Sequence, residues 1–193
     1  MKYLILIGSL IIAFILSNMG IKPPSNFMNN YELLPIVTAN VWVDLAIIFI
    51  TFSGVLFTRK TLINWYKKYR LSAIIADIFI IVLVLILLRY ILNILNIKVS
   101  LFTFVLLGLG LQILHDILFY LLFKNIKRGS NHMFDFFKNY ARELKTDAIL
   151  GDSILVIWAI ILASLLNTRS FKFNLVSLFI GIYLIPYIIY MKD

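Results

Sequence analysis

Six long apolar runs constrain this chain more than any other feature of its sequence. They cover residues 3–17, 34–57, 71–95, 99–123, 148–166 and 174–191. A helix needs about 20 mostly apolar residues to cross a bilayer, and a globular core formed by 193 residues could not bury so many of these runs. With 62% hydrophobic and 14% charged residues, the composition is also far from that of a soluble domain. The sequence predicts an all-α, polytopic bundle of about six transmembrane helices, forming a single integral membrane domain over residues 1–193.

The first run is the least typical of the six. It starts with a charged residue and has a short apolar core, as a secretory signal peptide does. It lacks a clear cleavage site between small residues. We interpret it as an uncleaved signal anchor, and a cleaved signal peptide is the alternative.

Lys and Arg residues are distributed unevenly between the segments that connect the runs. With six spans, thirteen of the 18 lie on the side that holds both termini and four lie on the other side, while Arg89 falls inside a run. Because the side richer in Lys and Arg stays in the cytoplasm, both termini are predicted to be cytoplasmic. Residues expected at that membrane surface are Arg59, Lys60, Lys67, Lys68, Arg70, Lys124, Lys127 and Arg128. These basic residues lie next to apolar runs, where they would be close to a membrane surface. We therefore interpret the net charge of +9 as favouring contact with anionic lipid headgroups and not with nucleic acid.

The two basic connecting segments differ in pattern. Residues 58–70 read as a loop, whereas 124–147 contains a helical stripe of apolar and aromatic residues formed by Met133, Phe137, Tyr140, Ala141 and Leu144. We predict an amphipathic interfacial helix over about 131–145, lying on the cytoplasmic face and capped by Ser130 or Asn131. A solvated hairpin between two spans is the alternative.

Three aspartates occur at a similar depth on three different predicted helices. Counted at about 1.5 Å per residue from the basic segments, Asp77, Asp116 and Asp152 lie roughly 7–12 Å inside the cytoplasmic end. Gln112 shares the helix face of Asp116, one turn away. A charge at the bilayer centre costs about 2.5–3.5 kcal/mol and so needs an explanation. We name these four residues as a candidate polar cluster that either carries a proton or cation or is stabilised structurally by interfacial water and basic neighbours.

The other polar residues in the runs receive separate interpretations. Asp44 and Arg89 lie at matching depths from the opposite end, which predicts a structural ion pair; a charge in a pathway is the alternative. His115 faces about 100° away from Asp116 on an ideal helix, so it is only a secondary candidate for the cluster. Ser153, beside Asp152, is the other secondary candidate.

Most catalytic chemistries lack their residues in this chain. There is no cysteine, which excludes disulfides, thiolate metal sites and cysteine nucleophiles. The pair His115-Asp116 has no second metal ligand at helical spacing, so no metal and no cofactor are expected. The "LGLG" at 107–110 follows no strand, and Gly108 is predicted to permit close helix packing. An enzyme is not expected, and a membrane hydrolase using Ser153 beside Asp152 is the alternative.

The segment from "LQILHDILFYLLF" through "KRGSNHMFDFFKNYARELKTDAILGDSILVI" resembles a group of uncharacterised multi-span membrane proteins of large DNA viruses that infect algae and protists. The residues that carry the resemblance are Gln112, His115, Asp116, Phe119, Tyr120, Arg128, Gly129, Asn131, Phe137, Lys138, Tyr140, Glu143, Gly151, Asp152 and Ser153. It covers about a quarter of the chain. The resemblance implies a host endomembrane or the membrane beneath a viral capsid, and it implies no biochemical activity.

Two functions follow from these observations as hypotheses. The first is a structural or assembly component of a viral or host-derived membrane, whose basic surface contacts anionic headgroups and whose protein partner is a second copy, a capsid protein or another membrane protein. The second is a proton- or cation-handling carrier or channel that uses the candidate polar cluster.

Overall fold

The computed structural model describes residues 2–56, 59–144 and 146–191, and it is helical almost throughout. Its helices are α1 (Lys2–Asn18), α2 (Leu33–Phe52), α3 (Lys60–Tyr69), α4 (Leu71–Ile94), α5 (Leu101–Asn125), α6 (His132–Leu144), α7 (Thr146–Leu166) and α8 (Phe171–Ile189). A single 3-10 turn, Asn30–Glu32, precedes α2. The described ranges contain no strand. The predicted all-α helical bundle is confirmed.

In the described parts of the chain, five helical segments are long and apolar enough to cross a membrane, which is compatible with a multi-pass membrane protein. They are Asn30–Phe52, Leu71–Ile94, Leu101–Asn125, Ala148–Leu166 and Phe171–Ile189, and they match the last five predicted runs. The end of the predicted run 34–57 lies outside the described residues. Helix α1 has 17 residues and is therefore only about 25 Å long. Whether α1 crosses the membrane or is a signal peptide stays a prediction.

Contacts between helix ends define two ends of the bundle. At the first, which we call the proline-loop end after residues 19–32, Phe14 of α1 packs on Phe102 of α5, with ring centroids 5.4 Å apart. At the second, the α3–α6 end, Trp65 of α3 packs on Phe137 of α6 at 5.0 Å. Since Lys2 lies at the α3–α6 end, α1 joins the same two ends as the five longer helices.

Helix α2 lies at the centre of the bundle and contacts α7, α8 and α4. Two glycines allow close approach between helices. A Cβ atom at Gly108 of α5 would lie 2.8 Å from Cδ1 of Ile160 on α7, and one at Gly181 of α8 would lie 2.8 Å from Cγ1 of Val41 on α2. The close packing predicted at Gly108 is therefore confirmed, and small residues at helix contacts are typical of membrane bundles.

The two connecting segments at the α3–α6 end both contain helices. The predicted interfacial helix, 131–145, corresponds to α6, and Asn131 caps it by accepting hydrogen bonds from the backbone N–H of Met133 at 2.8 Å and of Phe134 at 3.2 Å. The prediction that 58–70 is a loop was wrong, because α3 occupies most of it. Trp65 and Tyr66 of α3 are buried against the bundle. This tertiary packing stabilises a ten-residue helix that would be marginal in isolation.

Candidate functional site

A cavity of about 400 Å³ lies at the α3–α6 end of the bundle. Residues of α4, α5 and α7 form its walls, and residues of α3 and α6 contribute to the lining at the end of the bundle. Its polar lining consists of Lys2, Arg59, Tyr66, Asp77, Gln112, His115, Asp116, Asn131, Tyr140 and Asp152. All four residues of the candidate polar cluster therefore face one cavity, from three different helices.

Asp77 and Asp116 are held by neighbouring side chains. The indole Nε1–H of Trp65 donates to the two carboxylate oxygens of Asp77, at 3.0 and 3.3 Å. The amide Nε2 of Gln112 donates to Oδ1 of Asp116 at 2.8 Å, as the spacing of one helical turn predicts. The second oxygen of Asp116, Oδ2, has no hydrogen-bond partner among the described residues. This oxygen is therefore a buried acceptor with unused hydrogen-bonding capacity.

The two secondary candidates have different positions. His115 lies in the lining, with Nδ1 3.2 Å from Oδ1 of Asp116 and its ring stacked on that of Phe119. The expectation that it turns away from Asp116 was wrong, because its imidazole lies within hydrogen-bond distance of the carboxylate. Ser153 is buried outside the lining, and its hydroxyl donates to the carbonyl of Ile149 at 2.7 Å. It is therefore poorly placed to act as a nucleophile in the cavity.

Two tyrosines outside the membrane-spanning helices contribute phenol groups to the cavity. Burial raises the pKa of Tyr140 well above its usual range, and the negative charges of Asp152, Asp77 and Asp116 raise it further. Burial likewise raises the pKa of Tyr66, with further contributions from Asp77 and Asp44. Both phenols therefore stay protonated and can donate a hydrogen bond at neutral pH.

An aromatic cluster closes the cavity end of the bundle. Phe137 of α6 lies 5.0 Å from Trp65 and 5.2 Å from Phe119 between ring centroids, and Phe136 stacks on Trp65 at 5.5 Å. The apolar stripe of α6 thus packs on the bundle. The sequence predicted the stripe but assigned it to the membrane surface, and it gave no signal that Trp65, Tyr66 and Tyr140 line a cavity.

The predicted ion pair between Asp44 and Arg89 is not formed, and this prediction was wrong. Arg89 extends to the proline-loop end, where Nη2 donates to the carbonyl of Asn26 and, at 3.0 Å, to that of Asn29. The same nitrogen lies 3.7 Å from Oε2 of Glu32. A depth counted from the next basic residue, Lys98, overestimates how deep Arg89 lies, because α4 ends at Ile94 and Arg89 is only five residues from that end.

Asp44 lies about two turns deeper than Arg89. It is eleven residues from the start of α2, which is roughly 16 Å along the axis. Its side chain is 1% exposed, and neither carboxylate oxygen has a hydrogen-bond partner among the described residues.

The predicted basic surface residues all lie at the α3–α6 end. Those exposed on the outside of α3 and near the end of α5 are Lys60, Lys67, Lys68, Lys124, Lys127 and Arg128. Arg59 is exposed and also contributes to the cavity lining. Arg70 is half-buried, with its guanidinium over the ring of Tyr190 and Nη1 donating to the carbonyl of Ile189 at 3.4 Å. One end of the molecule therefore carries both the cavity and a strongly basic rim.

Comparisons with known proteins give no assignment for this arrangement. The chain matches no protein-family model, no curated protein and no solved structure.

Proposed function

We propose that this multi-pass membrane protein is a proton- or cation-handling carrier or channel whose working site is the cavity at the α3–α6 end. The observation that carries the proposal is the presence of three carboxylates, Asp77, Asp116 and Asp152, in the lining of one cavity. Carboxylates within apolar helices are costly, and those that face a cavity commonly mark the path of an ion or proton. Among the described residues of the lining, three are acidic and two, Lys2 and Arg59, are basic, and this balance favours a positive ligand.

The neighbouring groups suit this chemistry. Nδ1 of His115 lies 3.2 Å from Oδ1 of Asp116, so a proton can pass between the imidazole and the carboxylate. Helix α6 covers the cavity through apolar and aromatic contacts. The chain turns into α6 at Gly129, whose φ of +87° favours glycine. The side chain of Asn131 caps the N-terminus of α6. These features supply a site for a positive charge and a nearby group that relays protons.

Flux measurements in liposomes test the proposal. Purified protein is reconstituted, and movement of protons, Na⁺, K⁺ and small ammonium ions is followed under imposed gradients. We expect at least one of these cations to move, and we expect Asp116→Asn to lose most of that flux because it removes the charge at nearly constant size. Glu143→Gln, an exposed acid on α6, is the matched control and should leave flux unchanged. Wild-type protein that moves none of these cations would contradict the proposal.

A second candidate function is a structural or assembly role in a viral or host-derived membrane. The observation that favours it is the basic rim at the α3–α6 end, because each Lys or Arg near an anionic surface contributes about 1 kcal/mol of attraction. Under this hypothesis the rim faces the cytoplasm and binds anionic headgroups, a second copy, a capsid protein or another membrane protein. The resemblance to viral membrane proteins supports the same hypothesis.

Single cysteines test the orientation that this second hypothesis needs. The chain has no native cysteine, so Lys68→Cys at the α3–α6 end and Lys98→Cys near the proline-loop end each give one label site. An impermeant thiol reagent applied outside intact cells should label Lys98→Cys and not Lys68→Cys. The reverse pattern would contradict a cytoplasmic rim and would remove the support for assembly on that face.

A further inference from the structure

The cavity is lined by aromatic rings as well as by carboxylates. These rings belong to Trp65, Tyr66, Phe119, Phe134, Phe137 and Tyr140. Its volume of about 400 Å³ lies in the range of pockets that hold small organic molecules, roughly 300–1,000 Å³. A site for a bare proton or a metal ion needs neither this space nor these rings.

The carboxylates are also not arranged as a metal site. Metal cations such as Ca²⁺ and Mg²⁺ require several oxygen ligands within about 2.0–2.6 Å. Within the described part of the chain, no group of three or more His, Asp or Glu side chains could hold a metal ion. The three acids line the cavity from three different helices, and this arrangement suits a larger cation.

Two oxygen atoms on α5 lack partners inside this cavity. Gln112 is 3% exposed and lines the cavity, and its Oε1 has no hydrogen-bond partner among the described residues. Oδ2 of Asp116 also lacks one. The two side chains are joined by the 2.8 Å bond from Nε2 of Gln112 to Oδ1 of Asp116. Buried polar atoms are almost always hydrogen-bonded in folded proteins, so these two neighbouring acceptors are where a water molecule or a donor group of a ligand would bind.

We propose that the cavity binds a protonated primary amine carrying an apolar group, with the ammonium N–H groups donating to Gln112 Oε1 and Asp116 Oδ2. This inference rests on the proposed function, since it names the class of cation that the site takes. The aromatic rings contact the apolar group and attract the positive charge through their faces. The amine is either a free small molecule or the headgroup of an aminophospholipid, because both present the same ammonium group.

The position of Asp116 favours its role over that of the other acids. Phe119 is three residues further along α5 and stacks with His115, and its ring lies 5.2 Å from that of Phe137. Aromatic rings from α5 and α6 therefore meet about one helical turn from Asp116. Lys2 and Arg59 start helix α1 and precede α3, respectively, so their backbones lie at the helix ends and not within the walls. The ammonium end is expected deep in the cavity, away from these two cations.

A fluorescence titration tests the inference directly. Trp65 lies in the lining, and Trp42→Phe with Trp158→Phe leaves it as the single reporter. The ligands are n-butylammonium, its neutral counterpart n-butanol, and butyltrimethylammonium, which keeps the charge and has no N–H donor. We expect n-butylammonium to saturate the signal and to bind about tenfold or more tightly than either other compound, since hydrogen bonds to charged groups are the strong ones.

Four variants separate a binding role from a structural one. Asp116→Asn should weaken n-butylammonium about tenfold or more, and Phe137→Leu should weaken it about threefold through the loss of an aromatic face. Glu143→Gln and the outward-facing Phe179→Leu should bind as the parent does. Equal affinity of the parent protein for n-butylammonium and n-butanol would overturn the inference. This comparison needs no substitution of a residue proposed to bind the amine. So would a parent protein that gives no saturable signal.

The same titration in nanodiscs distinguishes the two sources of the amine. If the occupant is a lipid headgroup, phosphatidylethanolamine discs should weaken n-butylammonium by competition relative to phosphatidylglycerol discs. Equal affinity in both discs identifies a free amine, and either result supports the inference. Flux of protons or metal cations without amine binding would overturn the inference and leave the proposed function standing. Absence of both flux and binding would overturn both.

Discussion

Replacing Arg89 by Met should destabilise the protein substantially, although the two side chains have similar length. Arg89 is 1% exposed. It donates to the carbonyls of Asn26 and Asn29 and lies 3.7 Å from a carboxylate oxygen of Glu32. These contacts fasten α4 to the proline loop. Because Met keeps most of the apolar stem, the variant isolates the loss of the guanidinium contacts.

The size of the effect follows from these contacts. Hydrogen bonds to charged groups contribute about 1.5–3 kcal/mol each, and breaking a buried pair costs about 3–5 kcal/mol. Glu32 is 13% exposed and keeps hydrogen bonds from the backbone N–H of Asn26 and the amide of Asn29, which offset part of the loss. We therefore expect the free energy of unfolding to fall by about 3 kcal/mol. Arg169→Met, an exposed arginine at the same end, should change it by about 0.5 kcal/mol or less.

A pair of double-mutant cycles measures which acid is the partner of Arg89. Unfolding free energies in mixed micelles are determined for Arg89→Met combined with Glu32→Gln and with Asp44→Asn. The structure predicts a coupling of at least about 0.5 kcal/mol with Glu32 and additivity within about 0.5 kcal/mol with Asp44. A coupling above about 1 kcal/mol between Arg89 and Asp44 would refute the assignment and restore the ion pair predicted from the sequence.

Three further perturbations test other parts of the structure. Gly108→Ala should destabilise the bundle by about 1–3 kcal/mol through overpacking against Ile160, whereas Gly110→Ala, with no atom within 4 Å of its Cβ, should be neutral or stabilising by about 0.5–1 kcal/mol in a thermal melt. Asn131→Ala should cost about 1 kcal/mol and increase proteolysis near α6, while Ser130→Ala should not. Because the folded pKa of Tyr140 is raised, its folded form retains a proton that the unfolded form loses, so stability should fall as pH rises above about 10. In Tyr140→Phe this fall should be smaller, as followed by melts across pH.

Depth counting predicted the composition of the cavity wall because helical rise is nearly constant. Asp77, Asp116 and Asp152 were assigned similar depths from basic segments that lie at one end of the bundle, and the helices begin or end close to those segments. The same arithmetic failed for Arg89. Its reference point, Lys98, lies four residues beyond the end of α4, and the long arginine side chain extends toward the loop as such side chains commonly do.

The closure of the cavity was not predictable from periodicity alone. The stripe of α6 predicts that one face is buried, but a membrane surface and a bundle end are both apolar and give the same pattern. Helix α3 was missed because its basic residues, among them Lys67 and Lys68, dominate a ten-residue segment whose buried side chains are few. The hydrogen bond from Trp65 to Asp77 joins two consecutive helices, α3 and α4. Such contacts depend on how helices pack, which no local pattern specifies.

The most direct test of the central claim measures whether the cavity selects positive charge. Ala76 lines the cavity, so Ala76→Cys in this cysteine-free chain places one thiol beside the carboxylates. The rate of its reaction with cationic 2-aminoethyl methanethiosulfonate is divided by the rate with the anionic 2-sulfonatoethyl reagent. This ratio is then normalised to the same ratio measured for Ser130→Cys in the exposed loop. One carboxylate at about 4 Å contributes about 1 kcal/mol even in water, which speeds the cationic reagent about fivefold and slows the anionic reagent by a similar factor. We predict a normalised ratio of about five or more that falls when Asp116→Asn is added; a ratio at or below one, unchanged by Asp116→Asn, would contradict the account.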